Sequence, residues 1–101
     1  MVKMPLMLSL RGYCYGLLGR RDEAKQMLSE LKDLSNTQFV SPLQFGIVHL
    51  GLGDLDSWRQ AMRESLAERV PGLVFVTKFW ILDPVRSDPV YLEIAAKLGL
   101  P

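Results

Sequence analysis

GYCYGLLGRRDEAKQML (residues 12–28) and GIVHLGLGDLDSWRQAM (46–62) align without a gap, and that alignment decides the fold. Gly12 falls on Gly46, Leu18 on Leu52, Gly19 on Gly53, Asp22 on Asp56, Gln26 on Gln60 and Leu28 on Met62, every pair at the same interval. A period of about 20–50 residues marks supersecondary units that stack because none can bury its own apolar face. Taken alone, GYCYGLLGRR suggests a glycine-rich loop that cradles a phosphate. Such a loop needs Gly-x4-Gly-Lys-Ser/Thr after a strand, and here the spacing is wrong and the preceding residues have helical periodicity. The second copy keeps the glycines at 46 and 53 but not Gly16 or the basic pair Arg20–Arg21. What recurs is packing and a turn, so the stretch reads as a bend between stacked helices. GLLG also imitates the clamp loop of an RNA-binding module, whose flanking strands are missing here.

Each copy reads as two helices. Leu8, Gly12, Tyr15 and Leu18 share one face, as do Phe45, Gly46, His49 and Leu52. Downstream, Ala24, Met27, Leu28 and Leu31 follow i, i+3, i+4, i+7 spacing, and so do Trp58, Ala61, Met62, Ser65 and Leu66. Gly19 and Gly53 stand where a left-handed residue ends the first helix of each pair. Asp22 and Glu23 fall in the first turn of the next helix, where the dipole favours negative charge, and Asp54 is placed to cap the equivalent helix. Ser41-Pro42 reads as a cap followed by a first-turn proline. Gly12 and Gly46 are expected to let paired helices approach closely.

After Arg69 the repeat degrades. VPGLVFVTKFWIL (70–82) is rich in β-branched and aromatic residues, which suit a strand. A lone strand in a helical array has no partner, so a short helix opened by Pro71 is expected instead. Each Asp-Pro (83–84 and 88–89) reads as a cap with a first-turn proline. The second opens a last helix with Tyr91, Ile94, Ala95 and Leu98 on its apolar face and Gly99 at its end. Asp88 follows Asp54 by one full repeat interval, in phase with the second helix of a pair.

These residues resemble tetratricopeptide repeats, helix pairs with a period of about 34 residues. Gly12, Tyr15, Gly19, Ala24 and Leu28 match that family's pattern, and Gly46, Gly53 and Met62 match it again. FVSPLQFGIVHLGLGDLDSW, LAERVPGLVFV and DPVRSDPVYLEIAAKLGL are similar to the C-terminal repeats of bacterial transcription regulators, adenylate cyclases and protein kinases. The resemblance implies an all-α fold, a right-handed superhelix of antiparallel helix pairs forming one domain over 1–101. Repeat 1 would cover about 5–36, repeat 2 about 41–70, and a degenerate cap with the C-terminal helix 71–101. Two positions depart from the pattern: Trp58 stands in place of a small alanine, so that the packing there must rearrange, and His49 in place of an aromatic or aliphatic residue.

The resemblance also implies a function in holding proteins together, without catalysis. The groove side of the first helices would carry Ser9, Tyr13 and Leu17, then Leu43, Ile47 and Leu50, with Gly16 beside Tyr13. Relatives that grip a carboxylate tail do so with Lys, Arg and Asn, which these places lack. The apolar groove suits an amphipathic helix, the chain's own last helix or a second subunit. With no preceding pair, Met4, Leu6, Met7 or Leu10 is expected to be exposed or buried by self-association as a homodimer.

Composition fits this. Apolar residues make up 49% of 101, and 12 Lys and Arg against 11 Asp and Glu leave a net charge of +1. They are interspersed, with no single-sign stripe for a nucleic-acid backbone. No apolar run is long enough for a membrane, and Arg11 and Arg20–Arg21 argue against a signal peptide. Cys14 is the only cysteine, consistent with a reducing, cytoplasmic setting. One Cys and one His give no metal set, and GDLD (53–56) lacks the rest of a calcium loop. No cofactor is implied. Two rival functions remain: a helix-turn-helix nucleic-acid binder using Arg20, Arg21 and Lys25, and a small enzyme centred on His49.

Overall fold

A computed structural model describes residues 4–68, 82 and 85–99. Within them the chain is all-α, with five packed helices: α1 (Pro5–Leu17), α2 (Arg21–Leu34), α3 (Pro42–Leu52), α4 (Leu55–Ala67) and α5 (Pro89–Lys97). The expected helix opened by Pro71 and the Asp83–Pro84 cap lie outside the described residues.

Local chemistry sets the boundaries. Pro5, Pro42 and Pro89 each open a helix, where a missing N–H costs nothing. Three side chains cap as the sequence suggests. Ser41 accepts from the Leu43 N–H at 3.0 Å, Asp54 from Ser57 at 3.2 Å and Asp88 from Val90 at 2.9 Å. The bends after α1 and α3 are closed by the same two hydrogen bonds at matched positions of the repeat. The Gly19 N–H donates to the Gly16 carbonyl and the Arg20 N–H to that of Tyr15; Gly53 donates to Leu50 and Asp54 to His49. Both glycines have φ +77°, which a side chain disfavours. The starts of α2, α4 and α5, at Arg21, Leu55 and Pro89, are spaced by the same interval.

α3 is the central helix. PLQFGIVHLGL is apolar on every side, and a helix of that kind is surrounded. It packs on α1 and α4, and α1 also packs on α2. Val48 joins a cluster with Leu8, Ala24, Met27, Leu31 and Val40. On its other side Leu43, Ile47 and Leu50 join Tyr13, Trp58, Met62, Leu82, Val85, Val90 and Ile94.

Glycine sets the α1–α3 spacing. A Cβ on Gly12 would lie 2.7 Å from a Val48 methyl, and one on Gly51 would lie 2.5 Å from the Tyr13 carbonyl oxygen. The Ser9 hydroxyl adds a partly buried hydrogen bond to Gln44 Oε1 at 2.7 Å. Trp58, at the position held by Ala24 in the first pair, is 1% exposed. It fits because Gly46 lies beneath it, where a Cβ would come within 3.9 Å of the indole and 2.9 Å of Ala61 Cβ.

α5 begins in phase with α2 and α4 but buries only Ala95 in phase with them. Positions 24, 27 and 31 are buried in α2, and 58, 61 and 65 in α4. In α5 the buried set is Val90, Ile94 and Ala95, flanked by half-buried Tyr91 and Leu98, while Leu92 is exposed. The expected apolar face is present, with Val90 added, but it is turned relative to the repeat. The turn brings Asp88 to α4: its carboxylate, nearly buried, accepts from Arg59 Nη2 at 2.7 Å and Nε at 3.0 Å while it caps α5. Asp88→Ala removes cap and ion pair together and is expected to lower stability by more than ~1 kcal/mol, the usual value of a cap alone. Asp88→Asn keeps a capping oxygen and should cost less. Urea midpoints compare the two; an equal loss in both would remove the cap from the account.

Candidate functional site

The expected groove is not an open surface. Ser9, Tyr13, Leu43, Ile47 and Leu50 are all buried. Ser9 faces Gln44 across the α1–α3 contact, and the other four belong to the cluster that includes Leu82, Val85, Val90 and Ile94. The resemblance placed these residues on an open groove side, but that side is covered. Gly16 is likewise no groove residue: it packs against the backbone of Gly51. Leu17 alone of the six is exposed, at 62%.

The exposed apolar surface lies on the other side of α1. Met4, Leu6, Met7, Leu17 and Leu18 are exposed, Leu18 at 70%; Leu10 is half-buried against the core. Met7, Leu10, Arg11, Cys14, Tyr15 and Leu18 line a cleft of about 290 Å³. Met7, Leu10, Cys14 and Leu17 follow each other at spacings of three, four and three, the seam by which one helix receives another. Periodicity groups Leu18 with Leu8, Gly12 and Tyr15, but Leu8 and Gly12 are buried and Leu18 is exposed, so that grouping does not hold at the end of α1.

A second cleft, of about 430 Å³, opens over α3 and α4 between Pro42, Phe45, His49, Asp56, Gln60 and Glu64. His49 Nδ1 is buried, has no hydrogen-bond partner among the described residues, and lies 3.8 Å from Asp54 Oδ2. Burial pushes the imidazole below its usual pKa, against a weaker upward pull from Asp54. Asp54 is held low chiefly by the Ser57 hydroxyl, which donates to it at 2.7 Å.

No protein-family model, curated protein or solved structure matches this chain.

The basic pair near the first bend is engaged within the fold. Arg20 bonds Glu23 at 2.6 Å and lies 5.2 Å over the Tyr15 ring, and Arg21 donates to the Leu52 carbonyl. Among the described residues no group of three or more His, Cys, Asp or Glu side chains is arranged to hold a metal ion. No described helix is long and apolar enough to cross a membrane.

His49 makes stability pH-dependent. Its folded pKa lies below the usual 6.5, so the unfolded chain takes up the proton first. Its contribution is complete above about 6.5 and is lost as pH falls through the folded value. Asp54 and Asp88, both held below the usual 3.8, Asp88 chiefly by Arg59, add a second loss in more acidic solution. The urea midpoint should fall between pH 7.5 and 5.5, and His49→Gln should flatten that fall. Since His49 is the only histidine, a wild-type midpoint that does not move over this range would overturn the assignment.

Proposed function

We propose that this chain is a protein-interaction module of the tetratricopeptide type, built from two stacked helix pairs and a closing helix in a right-handed array, and working in the cytoplasm by binding rather than by catalysis. One observation carries the reading: two bends, one repeat interval apart, use the same pair of hydrogen bonds around a left-handed glycine, with matched buried positions on either side. The helices act as a scaffold, and the apolar seam of α1 is the surface offered to a protein or peptide partner, a second copy included. Its chemistry suits that role, since exposed leucines and methionines at helical spacing bind by excluding water.

The lone thiol allows a direct test. Benzophenone attached to Cys14, which is exposed, sits inside the seam. Under illumination in extract of the source cells it should yield an adduct of defined mass with a protein. Leu17→Glu with Leu18→Glu should abolish the adduct while leaving the helical circular dichroism intact. A labelled, folded chain that gives no protein adduct, or one insensitive to the two glutamates, would overturn the reading.

A further inference from the structure

Three polar residues recur at the repeat interval on the second helix of each pair. Asp22, Gln26 and Glu30 of α2 answer to Asp56, Gln60 and Glu64 of α4. Spaced by four, they form one row along a helix face. None is buried, so packing does not dictate them. The first helices differ beside that row. In the first pair α1 supplies a cation. The Arg11 guanidinium donates to the Tyr15 hydroxyl at 3.4 Å, and its pKa is raised by that hydroxyl and, more weakly, by Glu30. In the second pair Phe45 stands where Arg11 does, and His49 where Tyr15 does. Burial holds the imidazole below its usual pKa, so it adds no charge at neutral pH. The cleft of about 430 Å³ opens here, with Asp56 and Glu64 in its wall and no lysine or arginine among its described lining residues. Its size lies within the roughly 300–1,000 Å³ of ligand clefts.

We infer that this cleft receives an arginine side chain of a partner polypeptide, whose guanidinium takes in the second pair the place that Arg11 takes in the first. Charge complementarity selects the occupant. Glu64 accepts from Gln60 at 2.9 Å and Asp56 from Arg59 at 3.0 Å, and a carboxylate has acceptor sites to spare beyond one such bond. Phe45 is half-buried in the wall, and its ring offers the aromatic surface on which a guanidinium stacks. Pro42 and Ala61 give apolar contact to the aliphatic stem. Arginine is preferred to lysine because stacking and forked donation both need the planar group. The cleft shares no lining residue with the α1 seam, so the inference goes beyond the surface proposed above and adds a charge-selective contact to it.

His49 is the only histidine and lines the cleft, so its ring signals in proton NMR report occupancy. The intact chain is titrated at neutral pH with acetyl-Ala-Arg-Ala-amide and with the same peptide carrying citrulline, the neutral isostere of arginine. The arginine peptide should shift the His49 signals with a dissociation constant of about 1–10 mM, the scale of one cation in one aromatic cleft. The citrulline peptide should bind about tenfold more weakly, because its hydrogen bonds are not charge-assisted. Glu64→Gln should weaken the arginine peptide about threefold, as for an exposed ion pair. Phe45→Arg, which copies the first pair, should abolish the shift, with circular dichroism checking that both variants fold. A His49 signal that the arginine peptide does not move, equal binding of the citrulline peptide, or wild-type affinity in either variant would overturn the inference. So would putrescine binding as tightly as the peptide, since a free diamine would then be the ligand. Each of these results leaves the Cys14 benzophenone adduct untouched, so failure at this cleft is distinct from failure at the seam.

Discussion

Gly51→Ala is expected to cost this fold about 3 kcal/mol, the upper part of the usual range for overpacking. The added Cβ would lie 2.5 Å from the Tyr13 carbonyl oxygen and 2.6 Å from Tyr13 Cα. These are backbone atoms of α1, so relief requires the whole helix to move away from α3. That movement would also loosen the seat of Val48 at Gly12 and the Ser9–Gln44 hydrogen bond. Gly12 offers the control. A Cβ there meets the Val48 methyls at 2.7 and 2.8 Å and Met27 Cβ at 3.1 Å, and a methyl can be trimmed. Gly12→Leu is expected to cost about 1–3 kcal/mol. The loss in Gly12→Ala should be largely recovered in the double variant with Val48→Ala, less the cavity this leaves. No side-chain truncation should rescue Gly51→Ala, because the three atoms nearest the added Cβ all belong to the Tyr13 backbone. Urea denaturation followed by circular dichroism measures all of these. A Gly51→Ala midpoint equal to wild type would mean that the two helices do not meet through their backbones.

Trp58→Ala is expected to cost about 3–5 kcal/mol, the range for deleting a large buried aromatic. The indole is 1% exposed and belongs to the cluster that joins α1, α3, α4 and α5. Its loss leaves a cavity within that cluster. Trp58→Phe fills much of the space and should cost less than half as much. The converse change tests the asymmetry between the two helix pairs. Ala24 occupies the matching position and is fully buried in the cluster with Leu8, Met27 and Val48, and the space over the matching glycine, Gly12, is already taken by the Val48 methyls. Ala24→Trp should therefore fail to fold, although it copies what the second pair does. An Ala24→Trp variant with wild-type stability, or a Trp58→Ala variant that loses under ~1 kcal/mol, would show that the two pairs are packed alike.

Much of this was legible in residue order. The bends at Gly19 and Gly53, the caps Ser41, Asp54 and Asp88, and the first-turn prolines Pro42 and Pro89 all act on their immediate neighbours in the chain. Their effect follows from backbone geometry alone. The apolar faces of α2, α4 and α5 were legible as well, since helical periodicity places them. A further signal was present but unread. Gly16 and Gly51 sit inside helices, where glycine is destabilising by about 1 kcal/mol, and that cost indicates a close approach.

The groove was misjudged for a physical reason. Ser9, Tyr13, Leu43, Ile47 and Leu50 lie where the repeat pattern expects an open face, but openness is not a property of a helix. It depends on what else the chain brings to that face, here residues as distant as Leu82, Val85, Val90 and Ile94. The same holds for Arg59 and Asp88, far apart in the chain yet hydrogen-bonded, a contact that the position of α5 in the sequence does not announce.

The sequence by itself determined the caps and bends that bound the helices and the apolar faces of α2, α4 and α5. Hydrogen bonds and dihedral preferences over one turn are enough for that. Only the tertiary structure decided which apolar sides are covered and which one, on α1, is left to the solvent. Burial is a relation between segments far apart in the chain, and it is settled by which of them meet.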